Sequence, residues 1–316
     1  MNYKSYAGLS DDIFNNLDKV QYQGFELIVG IPRSGMIPAY MLSLFLNIDC
    51  TSLHDFIRNS KLAKGNTRSL RKEICNAWDA KKVLIVDDSV NTGASMEEVL
   101  DQIPEDCPCE ITTLAVYGNA VGMAKVDVCL KYLSSPRVFQ WNIWHHNVLQ
   151  RACIALDGVI FNGLEEHLDK EENGMGLIQE VRPLVIPTYR INSLITKQHE
   201  RYRKEIESWL SYYNITYDNL IMSGSVDKNE TRSHQEYCKL KADYYKQDSR
   251  LYFFVESDFD HAVFIAKATG KSVFCTQAND LVRPSVREIV KHGKAYFFRI
   301  NLARMRRVMK RWLPSL

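Results

Sequence analysis

The sequence predicts an α/β protein built from two doubly wound, parallel-sheet domains and ending in a basic helical tail. Three observations carry this reading. Apolar runs rich in β-branched residues, each followed by a Gly or Ser turn, alternate with helical patterns. A second series of the same kind opens at Ala152, and the charge balance changes sign near residue 291. At 316 residues, 46% hydrophobic and 25% charged, the composition fits two globular domains and excludes disordered or fibrous chains. No apolar run approaches the ~20 residues a membrane-spanning helix needs. The nearest candidate, Met36 to Ile48, is interrupted by Pro38. The first residues turn acidic without an apolar signal core, so a cytoplasmic protein is expected. Eight scattered cysteines, with Cys107 and Cys109 the one close pair, read as reduced thiols rather than a zinc or redox motif.

The first domain, 1–150, is read from strands at 25–31, 81–88 and 110–118. A helix runs through Pro38 to Leu46 and another starts near Ser95. The second, 151–285, is read from strands at 152–161, 217–224, 250–257 and 271–276, with a helix around Lys197 to Tyr212. In such folds ligands sit at the carboxyl ends of the strands.

The stretch Val83 to Ser95, VLIVDDSVNTGAS, is the most informative. Four apolar residues make a buried strand that ends in two adjacent carboxylates, Asp87 and Asp88. A loop with Thr92, Gly93 and Ser95 then opens a helix. Backbone N–H groups, a glycine that permits close approach and hydroxyl donors together form a phosphate cradle. The paired carboxylates suit the two hydroxyls of a ribose, or a magnesium ion beside them. These residues resemble the phosphoribosyl pyrophosphate signature of the type I phosphoribosyltransferases. The resemblance implies that Asp87 and Asp88 meet the ribose, and that Asn91, Thr92, Gly93, Ala94 and Ser95 hold the 5-phosphate. Asn91 and Ala94 stand where the family usually has hydroxyl residues. The turn Val29 to Gly35, VGIPRSG, is similar to the family's pyrophosphate loop, with Arg33, Ser34 and Gly35 facing the leaving group. Arg33 suits bidentate phosphate recognition. The basic stretch 58–82, with Lys61, Lys64, Arg68, Arg71 and Lys72, stands where the family has a mobile loop that closes over the pyrophosphate.

For the acceptor, the stretch 139–147 supplies Trp141 and Trp144 as stacking platforms, and His145 or His146 as a general base for an alcohol. Packed junction residues are the plainer reading of that stretch.

The run ACIALDGVIF at 152–161 resembles the opening motif of haloacid dehalogenase-like phosphatases, in which two acids stand two residues apart. Asp157 matches the second acid, but Ala155 occupies the nucleophile position. The resemblance implies Ser223 on the phosphate, Lys239 or Lys241 as the third motif, and Asp157, Glu256 and Asp258 as magnesium ligands. Without a carboxylate at 155 no phosphoaspartate can form. Two readings stay open: an alanine introduced to trap substrate, which the intact partners favour, or a natural remnant that only binds.

The tail, 286–316, carries eight Lys/Arg and no acid from Lys291 onward, leaving a net of −6 on the residues before it. Phe298, Leu302, Met305, Met309 and Trp312 form one apolar stripe, so a basic amphipathic helix on an anionic inner-membrane surface is expected. Nucleic acid is not expected as a partner. The combination resembles bacterial enzymes that add ribofuranose to capsule or O-antigen glycans. It implies magnesium-dependent transfer from phosphoribosyl pyrophosphate to a sugar hydroxyl of a lipid-linked acceptor, then removal of the 5-phosphate. The alternatives are a nucleobase (orotate or purine) phosphoribosyltransferase and a non-catalytic sensor of the same donor.

Overall fold

In the computed structural model, the described residues are 1–63, 73–162, 181–224 and 234–284. The chain divides into two compact units between Trp141 and Asn142, where the sequence suggests 150/151.

In the first unit, a five-stranded parallel sheet has the order β3-β2-β4-β5-β6. Its strands are β2 (Leu27–Gly30), β3 (Asp49–Ser52), β4 (Lys82–Val90), β5 (Glu110–Gly118) and β6 (Val128–Tyr132). Both faces are covered, which is why these strands read as continuous apolar runs rather than alternating ones. Ile28, Leu84, Val86, Leu114 and Val116 face α1 (Tyr6–Phe14) and α2 (Met36–Leu46). Leu27, Val29, Val83 and Ile85 face the opposite cluster, with Leu53 and Phe56 of α3 (Leu53–Ile57) and Met96 and Val99 of α4 (Ala94–Leu100). Pro38 lies in the first turn of α2, where its missing N–H costs nothing. A separate parallel pair joins β1 (Asn2–Lys4) to β7 (Arg137–Phe139), which no sequence pattern announces because each strand has three residues.

In the second unit, six strands follow the order β10-β9-β8-β11-β12-β13. They are β8 (Ala152–Ala155), β9 (Ile191–His199), β10 (Tyr217–Gly224), β11 (Phe253–Glu256), β12 (Val273–Cys275) and β13 (Asp280–Val282). All pairings are parallel except β12 with β13. Helices α5 (Arg203–Tyr212), α6 (His234–Gln247) and α7 (Phe259–Thr269) accompany them. One expectation is corrected here. Lys197 lies in strand β9, not in a helix, because the run Ile191 to Thr196 is buried between β8 and β10; the helix begins at Arg203 and buries Ile206, Trp209 and Leu210.

Among the described residues no helix is long and apolar enough to cross a membrane. The tail at 286–316 lies outside the described residues, as do Lys64, Arg68, Arg71 and Lys72.

Candidate phosphoribosyl site and a second strand-end cluster

β4 runs four residues beyond the end of its pairing with β2, to Val90, held by β5 alone. Asp87 and Asp88 therefore sit inside a strand that runs two residues past the end the sequence suggests. Their outer edge is free because β2 has already turned away at Gly30. The turn 31–35 fills that space, with a cis peptide between Pro32 and Arg33. Gly35 is required there: a Cβ would lie 2.6 Å from the Val86 carbonyl oxygen and 2.7 Å from that of Ile31. The glycine thus lets the turn bearing Arg33 and Ser34 lie against the two acids. Arg33 is exposed.

Asp88 is buried and both its carboxylate oxygens are occupied. Ser34 Oγ donates to Oδ1 at 3.1 Å, and Trp141 Nε1 donates to Oδ2 at 2.6 Å. The Asp88 amide donates to Asp87 Oδ1 at 2.8 Å. Burial and the adjacent Asp88 charge push the Asp87 carboxyl up to about 7. Beyond the acids, Asn91, Thr92, Ala94 and Ser95 are exposed around Gly93, whose φ of +92° opens α4. Thr92 Oγ1 accepts from the Ala94 amide at 3.4 Å. Asn91 accepts from Asn119, whose Oδ1 in turn takes the Gly122 amide at 2.7 Å. The arrangement offers two carboxylates, a serine and an arginine on one side and a hydroxyl-lined loop on the other. It can take a sugar phosphate by its hydroxyls and its phosphate together. Two adjacent carboxylate oxygen donors also suit a hard divalent cation shared with substrate phosphates, so Mg2+ fits here.

The histidines have local work in the other unit. His146 Nδ1 accepts from the Val148 amide at 3.0 Å and burial lowers its pKa. His145 Nδ1 lies 3.0 Å from Thr188 Oγ1.

In the second unit, the carboxyl ends of β8, β9 and β11 are immediate neighbours and gather a second cluster. Ala155 is fully buried at the end of β8. Asp157 follows, accepting the Lys197 amide at 2.9 Å and the Tyr237 hydroxyl at 3.1 Å. Gly158 has a φ of +77°, and a Cβ there would come 2.3 Å from Ser257 Oγ. Of the two lysines, Lys239 is exposed, while Lys241 is buried and donates to Glu256 Oε2 at 2.7 Å. Lys241 also lies 4.0 Å over the Tyr237 ring.

Two expectations change. Ser223 stands on β10, one strand farther from β8, whereas β9, adjacent to β8, carries the buried hydroxyl residues Ser193 and Thr196. The signal was the run SLIT, hidden by the helical reading. Asp157, Glu256 and Asp258 do not make a metal-binding group, and among the described residues no three His, Cys, Asp or Glu do. With no carboxylate at 155, Lys241 takes one oxygen of Glu256, the Ser257 and Asp258 amides take the other, and Asp258 caps α7 by accepting the His261 amide at 2.9 Å. Mg2+ does not fit this cluster as it stands.

Residues 4–150 match the family model described as the phosphoribosyl transferase domain. A transcriptional regulator of Methanococcoides burtonii, named GfcR, is 33% identical over 122 residues, covering 38% of this chain and 59% of the relative. The chain thus spans less than two thirds of that relative's length. A xanthine-guanine phosphoribosyltransferase of Idiomarina loihiensis is 26% identical over 133 residues, 40% of this chain and 76% of the relative. Among solved structures, a purine phosphoribosyltransferase from Pyrococcus horikoshii is 21% identical with a TM-score of 0.33, over 44% of this chain and 92% of that one. A xanthine-guanine-hypoxanthine phosphoribosyltransferase of Helicobacter pylori is 21% identical with a TM-score of 0.34, over 45% and 92%. The signature acids, the turn packed against them and the loop at 91–95 all fall inside residues 4–150, the segment that is similar to the phosphoribosyl transferase domain.

Proposed function

We propose that the chain transfers a 5-phosphoribosyl group from phosphoribosyl pyrophosphate to a sugar hydroxyl of a growing glycan, probed below against nucleobase acceptors. The observation that carries the donor is the Asp87–Asp88 pair fixed beside the glycine turn. Asp88 and Asp87 hold the ribose hydroxyls, Asn91 to Ser95 hold the 5-phosphate, and Arg33 with Ser34 faces the pyrophosphate. When bound, Mg2+ neutralises charge on the departing pyrophosphate. The anomeric carbon passes through an oxocarbenium-like state as the C–O bond to pyrophosphate breaks and the acceptor oxygen bonds, its hydroxyl proton leaving with the pyrophosphate. Attack opposite the leaving group on the α-donor gives a β-ribofuranoside.

The second unit supports the choice of a sugar acceptor. Asp157, Thr196 and Glu256 stand at or near the ends of adjacent strands and Lys241 of α6 reaches Glu256, as a phosphatase built to remove the 5-phosphate would place them, with Ala155 where its nucleophile belongs. Nucleotide synthesis has no use for that removal. The tail at 286–316 is the proposed contact with a cytoplasmic membrane surface, where lipid-linked glycans are assembled. A second reading, nucleobase transfer, is favoured by the xanthine-guanine phosphoribosyltransferase among the relatives. A donor-binding sensor is the third, favoured by the relative named as a transcriptional regulator.

The test is mass spectrometry of alkyl or lipid-linked glycans, and of purines and orotate, each incubated with enzyme, Mg2+ and phosphoribosyl pyrophosphate. A phosphoribosyl gain on a sugar supports the proposal. Gain on a base alone moves the protein to nucleotide metabolism, and donor binding with no turnover makes it a sensor.

A further inference from the structure

Asp88 receives its second hydrogen bond from an unexpected quarter. Trp141 is the last residue of its unit, far in sequence from the signature, yet its indole N–H reaches Asp88 Oδ2 at 2.6 Å. The indole is fixed in its turn. Its ring stacks on Phe139 with centroids 4.7 Å apart and planes 6° from parallel, and Phe139 stacks on the buried Tyr117 at 5.4 Å. Tyr6 leans against its other side at 5.6 Å. The backbone around it is locked to the first residues of the chain. β7 pairs with β1, the Gln140 amide donates to the Lys4 carbonyl at 2.9 Å, and the Tyr6 amide donates to Gln140 Oε1 at 2.9 Å. Below the stack, Tyr117 donates to Asp12 at 2.9 Å, and Asp12 also holds Lys4 and Lys131, each at 2.5 Å.

A carboxylate beside a second carboxylate has every reason to rotate away, and a side chain that must present one face to two ribose hydroxyls cannot be free to do so. Ser34 pins one oxygen of Asp88 and Trp141 the other, leaving the outward lone pairs of both oxygens at a set angle. We propose that Trp141 is a positioning residue for the ribose subsite: its indole N–H orients Asp88 toward the ribose hydroxyls, and the Tyr6–Trp141–Phe139–Tyr117 stack, tied to β1, holds that N–H in place. The inference rests on the phosphoribosyl reading of this site. It assigns Trp141 to the donor, where the sequence offers it as a stacking platform for the acceptor.

The test separates ribose from phosphate recognition. Calorimetry on the full chain with Mg2+ compares phosphoribosyl pyrophosphate with inorganic pyrophosphate, which has no hydroxyls for Asp88. Trp141→Phe keeps a ring on Phe139 and removes only the donor. It should weaken phosphoribosyl pyrophosphate about 10- to 100-fold, the worth of one hydrogen bond to a charged group, and leave pyrophosphate binding within twofold or so. Equal loss for both ligands, or no loss, overturns the proposal. A second measurement needs no variant. In the 15N-labelled wild-type chain, one of the five indole N–H resonances should move on adding phosphoribosyl pyrophosphate and stay still on adding pyrophosphate. If no indole discriminates, the proposal falls. Wild-type protein that binds pyrophosphate but not phosphoribosyl pyrophosphate would overturn the donor reading itself, and this inference with it. Wild-type binding unaltered by Trp141→Phe overturns the inference alone.

Discussion

Asp87 is held in a protonation state that the unfolded chain does not share. Its folded pKa is raised to about 7 by burial and by Asp88, so the folded protein keeps a proton that the unfolded chain loses near pH ~4. The stability this contributes is fully present below about pH 4 and is lost as the pH rises to about 7. Asp87→Asn should therefore raise the melting temperature at pH 8, with the difference closing by pH ~4. The same variant should lose donor binding, because two carboxylates are crowded together for function at the expense of the fold. Asp88→Asn should abolish transfer while circular dichroism stays unchanged; near-normal turnover would remove the acids from the ribose site. Gly35→Ala tests the packing beneath them. Its Cβ meets two backbone carbonyls within 2.7 Å, neither able to rotate aside, and about 1–3 kcal/mol of stability should be lost. At this scale the signature acids and Gly35 were legible from the order of residues alone. Trp141 was not, because its bond to Asp88 joins positions 53 residues apart.

Among the elements, β1 matters beyond its three residues. Asp12 on α1 is buried and ties Lys4 at the end of β1 to Lys131 on β6 and Tyr117 on β5. Burial alone would raise its pKa, but the bonds from Lys131, Lys4 and Tyr117 hold it below the usual carboxylate value. Such a group stabilises the fold above its unfolded pKa, and that contribution is lost as pH falls through the depressed folded value. Asp12→Asn should cost about 3 kcal/mol at pH 7 by leaving two lysines facing a neutral amide. The loss should shrink in melts taken below pH ~4. Long parallel strands such as β4 and β5 were legible because burial on both faces demands unbroken apolar runs. β9 was not: Lys197 and Gln198 at its end dilute the apolar run, and the amphipathic helix that follows lends its pattern to the window.

The whole molecule joins a unit that matches the phosphoribosyl transferase domain to a second unit, for which the proposed phosphatase reading puts a nucleophile at Ala155. Ala155→Asp would set a carboxylate among Lys241, Glu256 and Asp157, and is expected to create Mg2+-dependent hydrolysis of p-nitrophenyl phosphate. Adding Thr196→Ala should reduce that activity by at least about tenfold, the usual loss from a phosphate-holding donor. In the acceptor assay, Ala155→Asp should turn a phosphoribosyl product into a ribosyl one. If hydrolysis stays absent, the phosphatase reading of this unit fails. The two-unit division was legible from the renewed strand pattern at Ala152, but the join itself was not. Residues 143–145 and 147–151 form short 3-10 turns, the second packed on β8, β9 and β11, and carry no periodic signature.

The four extra residues of β4 have one further consequence. Because Asp87 to Val90 stay paired to β5 through Ser89 with Tyr117 and Val90 with Gly118, the segment proposed to hold the ribose belongs to the sheet ladder even with no ligand bound. Deuterium uptake should be low at 87–90 before the donor arrives and scarcely change afterward, while 91–95, outside the ladder, should pass from fast to slow. The site would then fasten only the phosphate end of its substrate by ordering protein, and receive the sugar end on a surface already set.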